Sequence, residues 1–133
     1  MFKENKILNE KVYNEKLHNN MQVFIMPKKG FSKKYAIFAT NFGSNDLEYV
    51  NPHTKKRMRV NDGIAHFLEH KMFEMPDESN VFETFAKFGA SPNAYTNFNM
   101  TAYHFSTAEN FIPALKYLIT YVQTPHFTDE NVE

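Results

Sequence analysis

The chain has 133 residues and no cysteine, and its 15 lysines and arginines balance its 15 aspartates and glutamates, so the formal net charge is zero. This length suits one domain with a genuine core. The charge balance gives no support to a nucleic-acid or membrane-surface partner. The lack of cysteine excludes disulfides, thiolate metal sites and a cysteine nucleophile. The N-terminus is too charged for a signal peptide and no apolar run reaches membrane-spanning length, so we expect a cytoplasmic protein.

The first half of the chain carries strand patterns. Residues 1–11 are polar and are expected to extend or fray. Asn19 and Asn20 predict a hairpin turn, because asparagine tolerates positive φ. Residues 47–61 contain turn-formers and charges without periodicity, which predicts a loop. The predicted strands of this half are 12–17, 21–26 and 35–40.

Residues 62–73 are predicted to form a helix that begins at Asp62 as N-cap. This segment contains the pattern His-x-x-Glu-His. With 3.6 residues per turn, His66, Glu69 and His70 share a sector of about 100° on one helical face. Two imidazoles four residues apart can hold one metal ion, and a carboxylate between them can take the proton of a metal-bound water.

The same helix is apolar on several sides, so we expect it to be buried. Burying two histidines and a glutamate without partners is costly, and a divalent cation would supply the partner. The alternative is a chance arrangement on a solvated helix face, since a five-letter pattern alone has a real false-positive rate.

The second half alternates helices and strands. Gly89 is placed to stop a helix, and Pro92 indicates that the strand after it is a sheet edge. The predicted elements are a helix at 79–88, strands at 93–98 and 101–106, a helix at 110–122 and the start of another after Phe127. The stripe predicted to face the core from the helix at 110–122 comprises Phe111, Leu115, Leu118, Ile119 and Val122.

In this order, these features resemble the insulinase/pitrilysin family of inverted-motif zinc peptidases, which includes the mitochondrial processing peptidases. The resemblance rests on three stretches that span nearly the whole chain. They are residues 63–70 followed by Met72 and Phe73; Gly89 followed by residues 93–96 and 102–105; and the N-terminal hairpin leading into residues 42–44.

The resemblance implies that zinc is the cofactor, that His66 and His70 are zinc ligands and that Glu69 is the general base of an endopeptidase. It also implies that the strand containing Asn93, Ala94 and Tyr95 receives an extended peptide substrate. An exposed sheet edge suits that role, because its unpaired backbone groups can pair with an added strand. Asn93 has two open interpretations, a hydrogen-bond donor to a substrate carbonyl or a turn residue after proline.

The fold implied by the resemblance is α+β, a processing-peptidase-like domain with a mostly antiparallel sheet and helices packed on one face. Residues 1–133 would form its N-terminal part, incomplete at the C-terminus. The family's third zinc ligand, a glutamate roughly seventy to eighty residues beyond the second histidine, would fall past Glu133. The resemblance further implies a homologous second domain and a homo- or heterodimeric arrangement, so the fragment alone is expected to be inactive.

Two other questions stay open, the role of His104 and the activity of the whole protein. His104 is either a third ligand or, more commonly for its position, a partly exposed strand histidine. The whole protein is either a zinc endopeptidase or a catalytically silent peptide-binding or scaffold subunit of the same family. An unrelated α+β domain with a chance motif would bind no metal at all.

Overall fold

The computed structural model describes residues 2–5, 10–77 and 79–132. They form two compact units, the first ending at Ser32 and the second beginning at Lys33. No helix in the described part of the chain is long and apolar enough to cross a membrane.

The first unit is a three-stranded antiparallel sheet in the order β1-β2-β3. Asn20 has φ of 70°, and the backbone N–H of Leu17 donates to the carbonyl of Met21 at 2.9 Å. This geometry confirms the predicted hairpin turn. The polar N-terminus, expected to extend or fray, contributes a paired strand. The strands are β1 (Phe2–Asn5), β2 (Glu10–Lys16) and β3 (Gln22–Ile25).

The described residues of the second unit form five strands and four helices. Its strands are β4 (Lys34–Thr40), β5 (Glu48–Val50), β6 (Arg57–Arg59), β7 (Ala90–Thr96) and β8 (Thr101–Thr107). Its helices are α1 (Ile64–Lys71), α2 (Val81–Lys87), α3 (Phe111–Tyr121) and α4 (Asp129–Val132). The main sheet is antiparallel in the order β4-β8-β7, so β7 is its outer strand among the described residues. The predicted edge position is confirmed.

The prediction of a loop over residues 47–61 was wrong, because β5 and β6 form a small hairpin there. The side chain of Asn51 shapes its turn by accepting hydrogen bonds from the backbone N–H groups of His53 and Thr54, both at 2.9 Å. Every residue of the two strands is exposed. A hairpin without a buried face shows no apolar alternation, which is why the sequence pattern missed it.

The core lies between one face of the main sheet and the helices. Tyr103 and Phe105 of β8 are buried against Phe85 of α2, and Leu118 and Tyr121 of α3. The rings of Phe85 and Phe105 lie tilted against each other with centroids 5.4 Å apart, and Phe85 meets Tyr121 edge-on at 6.0 Å. The architecture is therefore α+β with the helices on one face of an antiparallel sheet, as predicted.

The structure corrects two details of the helices. Gly63 is the N-cap of α1, with φ of 85°, so Asp62 lies one residue outside the cap position. The buried side of α3 is formed by Ala114, Leu118 and Tyr121, whereas Ile119 is 37% exposed. Leu118 of the predicted stripe is buried, and Phe111, Leu115 and Val122 pack against the core, so the prediction was wrong for Ile119 and missed Ala114 and Tyr121.

Candidate active site

The two histidines of the motif lie on adjacent turns of α1. Their Nε2 atoms are 3.0 Å apart and their ring centroids 4.8 Å apart. Both side chains are exposed. Because the carrier is a regular helix, this convergence follows directly from their four-residue spacing.

The separation of the two nitrogens suits a shared zinc ion. Two nitrogens each about 2.05 Å from zinc at a tetrahedral angle lie about 3.3 Å apart. The observed 3.0 Å is close to that value. Two unprotonated ring nitrogens at this distance repel unless a proton or a cation lies between them. Among the described residues no group of three His, Cys, Asp or Glu side chains forms a complete metal-binding set.

Glu69 faces the sheet rather than the solvent. It is 8% exposed, and its Oε2 accepts a hydrogen bond from the hydroxyl of Thr96 in β7 at 2.8 Å. The expectation that α1 is buried on several sides was wrong. Ala65 and Glu69 are its buried residues, whereas His66 and His70 point outward with Phe67. The pair of histidines and the carboxylate therefore occupy neighbouring sectors, one exposed and one covered.

Burial and then the negative charge of Glu69 raise the pKa of Tyr103 to about 12. Burial is also the main cause that raises the pKa of Tyr121, with a smaller contribution from Glu69. The carboxylate thus lies close enough to the aromatic core for its charge to act on both phenols, which stay neutral at physiological pH.

Strand β7 presents its backbone to the free edge in a fixed alternation. The N–H of Asn97 donates to the carbonyl of Met100 at 2.9 Å, which makes these two residues a hydrogen-bonded pair. In an antiparallel ladder the next pair, Thr96 with Thr101, is then non-hydrogen-bonded. By the same alternation the backbone groups of Ala94 and Thr96 point away from β8.

Pro92 fits the same alternation. It lies inside β7 rather than immediately before it, opposite Phe105 in a non-hydrogen-bonded pair. Its nitrogen therefore faces the free edge, where the missing N–H leaves no gap in the ladder.

Asn93 lies within β7, exposed and paired with His104, so the interpretation as a turn residue was wrong. Its Oδ1 accepts a hydrogen bond from the N–H of Ala94 at 2.8 Å. That donor is the one that alternation directs to the edge. Tyr95 is 40% exposed on the sheet face opposite the helices. The three predicted substrate residues thus lie together on the outer strand.

His104 does not join the histidine pair. It alternates along β8 with Tyr103 and Phe105, which face the helices, so it lies on the other side of the sheet. Its ring lies 5.3 Å from that of Tyr35 and 6.1 Å from that of Tyr95. The prediction of a partly exposed strand histidine is confirmed for His104.

Sequence reasoning did not single out Thr96 or Thr101. The two hydroxyls are 3.3 Å apart, and Thr101 donates its proton to the carbonyl of Phe42 at 2.9 Å. Strand alternation from Ala94 places Thr96 on the helix-facing side, which was available from the sequence. That Glu69 lies opposite Thr96 depends on how α1 packs against the sheet, and this packing could not be predicted from the sequence.

Known proteins share this fold and sequence. A Bacillus subtilis strain 168 protein named as the uncharacterized zinc protease YmfH is 49% identical over 126 residues, 95% of this chain and 29% of that protein. An M16-like peptidase from Alicyclobacillus acidocaldarius has 43% identity and a TM-score of 0.85, covering 92% of this chain and 28% of the other. Pitrilysin superposes with a TM-score of 0.72 at 21% identity, over 96% of this chain and 13% of its own, which shows the fold alone.

The chain spans less than a third of the length of each of these proteins. A model of the insulinase family, peptidase family M16, matches residues 58–133, a segment that includes α1 and the edge strand. Because this match covers more than half of the chain, the protein belongs to the insulinase family of peptidases.

Proposed function

We propose that the native full-length protein is a zinc-dependent endopeptidase that hydrolyses extended or unfolded peptides. The observation that carries this proposal is the 3.0 Å separation of the Nε2 atoms of His66 and His70 beside a covered Glu69. The similarity to a protein named as a zinc protease supports it. The family match argues against a chance motif.

His66 and His70 would hold the zinc ion through their Nε2 atoms. When bound, zinc would act as a Lewis acid on the scissile carbonyl and lower the pKa of water. Glu69 would take the proton of the attacking water and pass it to the leaving amine. Its hydrogen bond from Thr96 uses one carboxylate oxygen, Oε2, and the other oxygen accepts no hydrogen bond from a described residue.

The substrate would add as a strand to β7. The alternation that turns the backbone of Ala94 and Thr96 outward provides donors and acceptors for such pairing. Main-chain pairing does not depend on substrate side chains, so it suits extended peptides of varied sequence. The side chain of Asn93 would leave Ala94 N–H as the substrate arrives and become free to bond a substrate carbonyl.

The third zinc ligand would come from the part of the native protein that follows Glu133. A second homologous domain would come from elsewhere in the native protein or from a partner subunit. Among the described residues, no third ligand lies beside the histidine pair. The 133-residue chain by itself is therefore proposed to be inactive.

The test uses the native full-length protein, with metal analysis and a quenched fluorescent peptide assay. We expect about one zinc per site and peptide cleavage that a chelator abolishes. The Glu69→Gln variant should retain zinc and lose at least about 1,000-fold in kcat, because general base catalysis and the charge are both removed. Normal turnover by this variant would refute the mechanism. A folded wild-type protein without zinc or cleavage would favour a silent scaffold subunit instead.

A further inference from the structure

We propose that Thr96 is a positioning residue that orients the carboxylate of Glu69 and links it to the substrate-binding edge. This inference rests on the proposed endopeptidase function. Its starting point is the hydrogen bond from Thr96 Oγ1 to Glu69 Oε2, 2.8 Å long, between residues 27 positions apart on different elements. A hydrogen bond to a carboxylate that is 8% exposed is charge-assisted and directional.

The direction of this hydrogen bond is set by its neighbours. A threonine hydroxyl has one proton to donate. Thr101 donates its proton to the carbonyl of Phe42 at 2.9 Å, so it has none left for Thr96, 3.3 Å away. Thr96 is thereby left to donate its own proton to the closer, charged acceptor. Thr96 is therefore the hydrogen-bond donor to Glu69.

The register of β7 also places the backbone of Thr96 where a substrate strand would pair with it. Thr96 and Thr101 form a non-hydrogen-bonded pair, so the N–H and C=O of Thr96 face the free edge while its side chain faces α1. A substrate strand added to this edge would pair with the backbone of the same residue whose hydroxyl holds the general base. Ordering this residue by substrate would therefore fix the carboxylate at the moment it is needed.

The experiment compares three variants of the native full-length protein. Thr96→Val keeps the shape and the backbone and removes the hydroxyl, and Thr96→Ser keeps the hydroxyl. Thr107→Val is the control, because Thr107 is a buried threonine of the same sheet whose hydroxyl donates to the backbone carbonyl of Glu109 at the other end of β8, away from Glu69.

We expect Thr96→Val to lower kcat by roughly 10- to 100-fold, the rate equivalent of a hydrogen bond to a charged group. Its KM should stay within about two-fold, because backbone pairing is retained. Zinc content should be unchanged. Thr96→Ser should recover most of kcat, and Thr107→Val should match the wild type.

A second readout needs neither zinc nor turnover. In metal-free protein, Thr96→Val should lower the thermal midpoint in the wild-type background and lower it less, or raise it, in a Glu69→Ala background. Equal shifts in the two backgrounds would show that the two side chains do not interact, and would overturn the inference.

The kinetic outcomes separate this inference from the proposed function. Wild-type kcat in Thr96→Val, together with an inactive Glu69→Gln, overturns the positioning role and leaves the endopeptidase standing. Loss of zinc in Thr96→Val, or failure of Thr96→Ser to recover kcat, also overturns it. An active Glu69→Gln refutes the proposed function itself, whereas the thermal comparison still reports on the contact.

Discussion

The hydroxyl of Thr101 donates a hydrogen bond to the carbonyl of Phe42 at 2.9 Å, joining the start of β8 to the segment that follows β4. Two backbone bonds extend the junction. The N–H of Ser44 donates to the carbonyl of Asn97 at 2.9 Å, and that of Asn45 to Phe98 at 3.0 Å. The turn that ends the edge strand is therefore held from outside by the loop after β4.

Substituting Gly43 by alanine should break this junction. A Cβ at this position would lie 2.5 Å from the carbonyl oxygen of Asn97 and from the backbone nitrogens of Asn99 and Met100. Since all three atoms belong to backbone, the contact is relieved only by moving the turn. We expect Gly43→Ala to lower the free energy of unfolding by about 2 kcal/mol or more, measured by denaturant titration.

The matched control is Asn41→Ala, an exposed position two residues earlier in the same segment. It should change the free energy of unfolding by less than about 0.5 kcal/mol. Equal stability of Gly43→Ala and the wild type would mean that the loop does not lie against the β7–β8 turn.

The histidine pair leads to a prediction about metal affinity. His66→Ala or His70→Ala in the native full-length protein should each weaken zinc binding by more than about 100-fold. Loss of a residue that only hydrogen-bonds to a zinc ligand costs roughly 10- to 100-fold, and loss of a ligand itself should cost more. Competition with a chromophoric chelator measures the affinity. His104→Ala is the control histidine, because it lies on the opposite sheet face, and should bind zinc as the wild type does. Loss of zinc in that control would place His104 in the site after all.

The sequence predicted the parts of this structure that depend on local geometry. The placement of His66 and His70 on one helix face follows from their four-residue spacing, and the stop at Gly89 follows from the ease with which glycine adopts positive φ, observed as 66°. Pro92 correctly indicated an edge strand, because proline has no N–H to offer a second neighbour.

The remaining features depend on packing between distant parts of the chain. The contact of Thr96 with Glu69 joins a strand to a helix, and no periodicity specifies which helix covers which strand. Likewise the sequence pattern missed the burial of Tyr121 in α3, because tyrosine is amphipathic and its ring contacts are with Phe73 and Phe85, which lie elsewhere in the chain. The hairpin of β5 and β6 has no buried face, so its sequence shows no apolar alternation that would predict strands.

The raised pKa of Tyr103 predicts a loss of stability at alkaline pH. The phenol has a pKa near 10 in the unfolded chain and about 12 in the fold, raised by burial and then by the charge of Glu69. Between these values the unfolded state has released the proton and the folded state has kept it. The stabilising contribution is therefore fully present below pH 10 and falls as the pH rises toward 12.

The measurement is the thermal midpoint of metal-free protein against pH, compared with that of Tyr103→Phe. The wild type should lose stability more steeply than this variant between about pH 10 and 12. Tyr49→Phe serves as the control for loss of a phenol, since Tyr49 lies on the exposed β5–β6 hairpin. Identical slopes for all three proteins would contradict the assigned shift.

Strand addition to β7 predicts an alternating response to backbone methylation of the substrate. Only every second residue of an added strand turns its N–H toward the partner strand. A peptide methylated at such a nitrogen loses a hydrogen bond to the carbonyl of Ala94 or Thr96, whereas methylation one position along modifies a solvent-facing nitrogen. We expect roughly ten-fold weaker binding at the first kind of position and a much smaller change at the second.

The Glu69→Gln variant of the native full-length protein allows binding to be measured without turnover, by fluorescence anisotropy of labelled peptides methylated one position at a time. Dissociation constants should rise and fall with a period of two along the peptide. Asn93→Ala adds a check from the protein side, because it removes the side-chain oxygen that accepts the N–H of Ala94. The same period should persist in this variant, since the backbone ladder is unchanged. A uniform effect at every nitrogen, or none at any, would show that the peptide does not bind by pairing with this edge.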